Sequence, residues 1–383
     1  MSNSSDFILK NAIQIGADTK VTLGTITSGT VDLSTGNYFA ETLAADRTYT
    51  FSNPGDVQSF QLEVTGGAVA NGYDLSVASY DSKTLTVSTN TPDASTLAFN
   101  NDGTKLYVGG ATEIDQYTLS TAWDISTGTY DSVSLTLANG AATGMFISPD
   151  GTKLYHTAFT DDTVYQYTMS TAFDLSTASY DSISFSVQTQ APQLRDVTFK
   201  PDGTKMYVTC YSTDDAYQYS LSTAWDISTA SYDSVSYPYT GMGIGQAISF
   251  NGDGTILFVL DDNNAAGGQV DVTPITLSTA WDLSSATGEG TPFSLTSQTT
   301  SVDGMVFSSD GTKMYVLDDA LNRIYQYTTG TTTDATLTWP ASVEWPAGAA
   351  PIAPAAGETD VYTFVTDDNG TTYIGLQTAD NLS

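Results

Sequence analysis

The stretch S-P-D-G-T-K-L-Y, residues 148–155, decides the fold. An Asp-Gly pair set between two short apolar alternations is the strongest local signal for a β-hairpin, because glycine takes up the positive φ that tight turns demand. The stretch also recurs. D-G-T-K-L-Y begins at Asp102 and Asp150, D-G-T-K-M-Y at Asp202 and Asp310, and D-G-T-I-L-F at Asp253, in steps of 48, 52, 51 and 57 residues. Each copy follows a short apolar alternation: LAFNN, MFISP, VTFKP, ISFNG and VFSSD.

Working outward, a third strand follows each hairpin: DQYTL, YQYTM, YQYSL, VDVTPITL and YQYTT. A near-constant octapeptide comes next, as STAWDIST at 120–127 and 222–229, STAFDLST at 170–177 and STAWDLSS at 278–285. It leads into a fourth strand, YDSVSLTL, YDSISFSV or YDSVSYPY. Four short antiparallel strands at a period near 50 residues are the signature of propeller blades. The octapeptide would link the third and outer strands, with Trp123, Phe173, Trp225 and Trp281 wedged against a neighbouring blade. An orphan outer strand lies in 73–87, and the last unit stops at YQYTT (325–329) without one. Pairing these two closes the ring and leaves no sheet edge exposed. The expectation is five blades over 67–330, or six if 286–303 holds extra strands.

The units resemble YVTN-type propeller repeats, on S-P-D-G-T-K-L-Y at 148–155 and K-P-D-G-T-K-M-Y-V at 200–208. The resemblance covers roughly 73–329 and implies a fold rather than an activity, since propellers carry many unrelated functions.

Outside the repeats lie 1–66 and 331–383, each short for an independent domain and together an ordinary domain size. Both read as strands broken by Gly-Asn, Asn-Pro-Gly and Asp-Asn-Gly turns. They resemble the two halves of a module of tailed-bacteriophage fibre and other virion proteins. The matching residues are Asp32–Phe39, Thr48–Asn53, Phe60–Gly67, Trp339–Pro340, Trp345–Gly348 and Asp360–Gly375. The resemblance implies a discontinuous β-sandwich-like attachment domain with the propeller inserted into one loop. Such an insertion is cheap, since loop closure costs only ~0.6 kcal/mol per doubling of length. Trp339 and Trp345 read as core or subunit-contact aromatics.

Composition narrows the function. Net charge is −32, from 43 acids against 11 bases, which repels nucleic acid and anionic membranes. No run approaches a membrane span, and the start, MSNSSDFILKNAIQIGADTK, is polar and acidic where a secretory signal is basic and then apolar. Cys210, the one cysteine, has no disulfide partner in the chain.

The search for chemistry is mostly negative. One histidine, His156, argues against a multi-His metal site or a Ser-His-Asp triad, and it reads as a strand residue. Arg195 and Arg323 are the only arginines in the ring, too few for a sialidase-like cluster. Neither a phosphate-binding loop nor a nucleophile elbow is present in the right context. What recurs is an acidic pair between the second and third strands: Asp161-Asp162, Asp214-Asp215, Asp261-Asp262 and Asp318-Asp319, with Glu113 and Asp115 in the remaining unit. These acids would ring one mouth of the central channel. Turn chemistry accounts for them, and a Ca²⁺ site or other ligand face is the functional alternative.

The expected function is a non-enzymatic bacteriophage virion protein without a cofactor, assembled in the host cytoplasm. Its propeller is the exposed domain of a tail fibre or adhesin, or of a capsid-surface decoration (head fibre). Expected partners are other virion proteins and a host surface glycan or protein, in a homo-oligomer, with a trimer favoured. A calcium-dependent propeller hydrolase is the enzymatic alternative.

Overall fold

The computed structural model describes residues 22–382, except 44, 56, 57, 67, 240, 241, 264–268, 347, 349 and 356. The polar start and Gly67, used in the sequence reading, lie outside the described residues. The described chain is β throughout, relieved only by short 3₁₀ turns. Its contacts divide it into two compact units. One runs to Ala70 and resumes at Thr332; the other is Asn71–Thr331.

The unit Asn71–Thr331 contains five repeated antiparallel sheets. The first has strands Thr96–Phe99, Lys105–Gly109, Glu113–Leu119 and Gly128–Thr136. The second has Gly144–Ile147, Lys153–Ala158, Thr163–Met169 and Ala178–Ser186. The third has Leu194–Phe199, Lys205–Cys210, Asp215–Leu221 and Ala230–Pro238. The fourth has Ile244–Phe250, Ile256–Asn263, Gln269–Leu277 and Ala286–Glu289, and Phe293–Ser294 also pairs with Gln269–Leu277. The fifth has Gly304–Phe307, Lys313–Asp318 and Arg323–Thr328, completed by Ser79–Thr86 from the start of the unit. The span 286–303 thus holds the fourth sheet's short outer strands rather than a further sheet. The first strands of the five sheets neighbour one another in a closed cycle.

The octapeptide recurs because nearly every position in it has a task. In the copy at 120–127, Asp124 Oδ1 accepts from the Ser126 N–H at 3.1 Å and so caps the turn Ile125–Thr127. Ile125 is fully buried. Trp123 sits at φ 62°, a costly conformation for a bulky residue, and its ring lies on Gly103 of the hairpin turn. A Cβ at Gly103 would come within 2.1 Å of that ring, so the turn glycine is needed for close approach as well as for its φ of 69°. The indole also stacks on Tyr315 of the fifth sheet, with centroids 6.5 Å apart. Trp225 stacks likewise on Phe146 of the second sheet at 6.1 Å.

Two hydrogen bonds then latch each sheet to the next at four joints. The Oε1 atoms of Gln116, Gln166, Gln218 and Gln326 accept from the backbone N–H of Leu175, Ile227, Leu283 and Ile125, at 3.0–3.1 Å. The hydroxyls of Tyr107, Tyr155, Tyr207 and Tyr315 donate to the carbonyls of Phe173, Trp225, Trp281 and Trp123, at 2.5–2.7 Å. Each of the four glutamines is held by a carboxylate in its own sheet, Gln166 by Asp181 at 2.9 Å, and Asp181 also receives Lys153 and Thr168. The repeated Tyr-Asp-Ser therefore supplies an acceptor as well as a strand.

In the other unit, the strands order as Tyr38–Thr42, Gln58–Thr65, Thr359–Thr366, Tyr373–Leu382 and Val343–Glu344 in one five-stranded sheet. A three-stranded sheet holds Ile26–Thr27, Thr30–Asp32 and Thr50–Ser52. One apolar cluster draws on both stretches of chain, with Phe39, Tyr49, Phe60 and Leu62 against Tyr362, Phe364 and Tyr373. Trp339 stacks on Tyr49 at 5.4 Å, and Trp345 packs on the same cluster.

Candidate functional site

The recurrent acids do not form one uniform set. Asp161 and Asp162 occupy the turn between their strands; Asp161 accepts from the Tyr165 hydroxyl, and Asp162 Oδ1 accepts from the Leu194 N–H at 3.1 Å. Asp214 precedes its strand and Asp215 begins it. Burial pushes both carboxyls up, and Asp215 adds its charge to the effect on Asp214. Asp261 and Asp262 depart from the expected loop position. They lie inside Ile256–Asn263, opposite Asp271 and Val270, because this hairpin ladder runs further than the others. Asp318 ends its strand and accepts from the Thr299 hydroxyl and the Leu321 N–H, both at 2.8 Å. Asp115 is fully buried and accepts from Thr91 and Ser134, while Glu113 starts the same strand. Asp161, Asp162, Asp115 and Asp318 thus serve local hydrogen bonding. Among the described residues no three acids, histidines or cysteines converge in a way that could hold a metal ion. His156 is fully buried between strands, with its ring on Tyr165, and burial lowers it to about 4. Cys210 is buried, and burial raises its thiol.

A different constellation assembles at the starts of the first strands. In each sheet one residue is inserted opposite the second strand. Arg195 falls between the pairs Leu194↔Cys210 and Asp196↔Thr209, and Gln246 between Gly245↔Asp261 and Ala247↔Leu260. In the remaining sheets the N–H groups of Ser95, Thr143 and Asp303 bond to the carbonyls of Gly109, Thr157 and Leu317, each already paired with the following residue. These are β-bulges, which turn a side chain out of the ladder's alternation. The bulges place Ser95, Thr143, Arg195, Gln246 and Asp303 at corresponding positions of the strand cycle. Two of them hook onto the next sheet: the Ser95 hydroxyl donates to the Ala142 carbonyl at 2.5 Å, and the Thr143 hydroxyl to the Leu194 carbonyl at 3.2 Å.

The other three are chemically distinctive. Arg195 Nη1 lies 3.7 Å from Asp303 Oδ1, spanning from the third sheet to the fifth, with Gln246 of the fourth between them in order. The guanidinium lies over the rings of Phe159 and Tyr211, at 5.0 and 5.3 Å. Burial pushes the Asp303 carboxyl up to about 7; Asp319 and Asp262 raise it further and Arg195 opposes them. Asp262 is raised by burial and by Asp319, again against Arg195. Next along the third strand, Asp196 is only 7 % exposed. Its Oδ2 accepts from the Ile248 N–H of the fourth sheet at 2.9 Å, and burial pushes it up to about 7. Asp196 lines a cavity of about 120 Å³ enclosed by the five first strands, with Leu97, Met145, Val197, Ile248 and Met305 among its walls.

In the sequence Arg195 stands out only as one of two arginines in the repeats, and Gln246 and Asp303 carry no local signal. Alignment of the repeats carries the signal. The fourth position before Phe99, Ile147, Phe199, Phe250 and Phe307 reads Ser, Thr, Arg, Gln and Asp, while its surroundings repeat.

No protein-family model matches this chain, and no curated protein matches it. Among solved structures it is similar to a candidate 6-phosphogluconolactonase from Bacteroides fragilis, at 12 % identity and TM-score 0.43, over 74 % of this chain and 95 % of that one. It is also similar to the hydrazine synthase of Kuenenia stuttgartiensis, at 13 % and 0.38, over 74 % and 78 %. A functionally unknown protein from Desulfotomaculum acetoxidans gives 12 % and 0.38, over 75 % and 87 %. None of these likenesses carries an assignment of activity.

Proposed function

We propose that this protein is a non-enzymatic structural component of a bacteriophage particle. In this reading the five repeated sheets are the blades of a five-bladed propeller, exposed as a binding or adhesin domain, and the unit made from both chain ends attaches it. The five-blade reading rests on the closed cycle of first strands and on the completion of the fifth sheet by Ser79–Thr86.

The observation that carries the functional reading is the pairing of Gln58–Thr65 with Thr359–Thr366. These strands bear residues from both halves of the virion-module resemblance, and they build one core across roughly 300 intervening positions. A binding role suits the strand starts, where polar groups converge without a nucleophile and base in contact. Immunogold electron microscopy of intact particles tests the reading. Label on tails supports the fibre form, label on heads supports capsid decoration, and label absent from particles overturns both. Purified protein should also leave lactones, esters and glycosides unhydrolysed.

A further inference from the structure

The strand starts around Arg195 hold more hydrogen-bonding capacity than the protein itself uses. Gln246 is 4 % exposed and its Oε1 has no partner; Asp262 is 8 % exposed and its Oδ1 has none. Asp319 Oδ1 and Arg195 Nε are likewise buried and unpartnered. A buried polar atom left unpaired is costly, so four in one neighbourhood point to groups that arrive from outside. Three of the four are acceptors and one is a donor. Asp262, Asp303 and Asp319 outnumber Arg195 in charge, so a cationic donor is favoured over a neutral one. A bare divalent ion fits poorly, because no three acids converge on a point among the described residues. The donors must instead be spread over a molecule several ångströms across. It also needs an acceptor for Arg195 Nε and a C–H face for Tyr211, which is 39 % exposed and lies beside the guanidinium.

From this set we infer that the strand starts of the third, fourth and fifth sheets form a binding site for an amino sugar with a free, protonated amine. The ammonium donates to Asp262 Oδ1 and Asp319 Oδ1, the two unpartnered carboxylate oxygens, while Asp303 stays on Arg195. Sugar hydroxyls donate to Gln246 Oε1, and a ring or hydroxyl oxygen accepts from Arg195 Nε. The inference deepens the binding reading above and rests on it for what presents the sugar. Soluble sugars and the purified full chain separate the two: particle labelling can fail while sugar binding stands, and the reverse.

The test is calorimetric titration at pH 7.5 and low salt with a glucosamine disaccharide, its N-acetylated counterpart, and CaCl₂. The inference predicts saturable binding of the free-amine sugar, at least tenfold weaker binding of the acetylated one, and a loss of tenfold or more in Asp319→Asn and in Gln246→Leu. Asp319 is on a turn, so its variant should keep the wild-type melting temperature and isolate the contact. Three results overturn the inference: equal affinity for both sugars, unchanged affinity in both variants, or a response to CaCl₂ alone.

Discussion

Four joints between neighbouring sheets carry both a glutamine latch and a tyrosine latch, while the joint between the fourth and fifth sheets carries neither. The register shows why. Phe258↔Pro274 in the fourth sheet occupies the place of Tyr107↔Gln116 in the first, so the hydroxyl and the amide are both missing. Ile256 likewise stands where the other sheets have Lys105, Lys153, Lys205 and Lys313. Apolar contact survives at this joint: Tyr73 takes the tryptophan's place at φ 64° and stacks on Phe258 at 6.1 Å. The same joint brings Asp262 of the fourth sheet towards Asp303 and Asp319 of the fifth, with like-charge repulsion. The fifth sheet is also the one assembled from both ends of the unit. Chain closure, missing latches and repulsion coincide at one seam, so the five-fold pattern is held by four strong joints and one weak one.

The largest effect should come from breaking a strong joint. Asp181→Ala removes the acceptor of Lys153, Gln166 and Thr168 and frees the glutamine that latches Ile227. With charged hydrogen bonds each contributing roughly 1.5–3 kcal/mol, a loss of about 2–3 kcal/mol in urea denaturation is expected. Tyr155→Phe, which strips one hydroxyl from the Trp225 carbonyl, should cost about 1 kcal/mol. If both variants unfold like wild type, the latches are decoration and the comparison collapses. Native-state hydrogen exchange sharpens it: amides flanking the seam should open at lower free energy than those at the other joints. Uniform protection around the cycle would remove the distinction.

How much of this could be read beforehand follows from what each feature rests on. The hairpins were legible because Asp-Gly turns and apolar alternation are local, and the fifth sheet's outer strand because a strand count demanded it. The acidic residues are visible as a repeat, yet the place of Asp261 and Asp262 inside a strand is not, because the length of a hairpin ladder depends on pairing partners. Arg195, Gln246 and Asp303 do not stand out as a group in the sequence because a bulge at a strand start leaves no local mark. Only the alignment of five copies shows that this position changes while its neighbours hold. The task of Gln116 is equally hidden, since its latch bond to Leu175 joins residues 59 positions apart.

Acidity should act on the molecule more gently. Burial pushes Asp196 and Asp303 up to about 7 and Asp261 up to about 6, above an unfolded aspartate near 4. The folded chain therefore holds more protons than the unfolded chain between about pH 4 and 7, and its stability falls as pH rises through that window. Asp181, Asp131, Asp233 and Asp81 are shifted down and act oppositely, losing their contribution as pH falls below about 4. Maximum stability is thus expected near pH 5, with the melting temperature a few degrees lower at pH 7.5. Asp303→Asn should flatten that fall. A melting temperature that climbs steadily from pH 5 to 8 would contradict the assignment.

The smallest effect is the most discriminating, because it adds a bond instead of removing one. Phe258→Tyr restores the hydroxyl that the other four joints use. The ring is already placed for it: Phe258 stacks on Tyr73 with planes 18° apart, much as Tyr315 stacks on Trp123 at 26°, where the hydroxyl reaches the Trp123 carbonyl at 2.7 Å. The corresponding acceptor is the Tyr73 carbonyl. A buried hydroxyl that finds its carbonyl contributes about 0.5–1.5 kcal/mol, whereas one that misses it costs about as much through desolvation. The sign of the change therefore reports whether the seam has the geometry of the other joints. A gain in stability, with slower exchange at the seam, means that it is an ordinary joint lacking only its donor. A loss means that the sheets on either side are spaced differently there, and that the weakness belongs to the backbone as well as to the side chains.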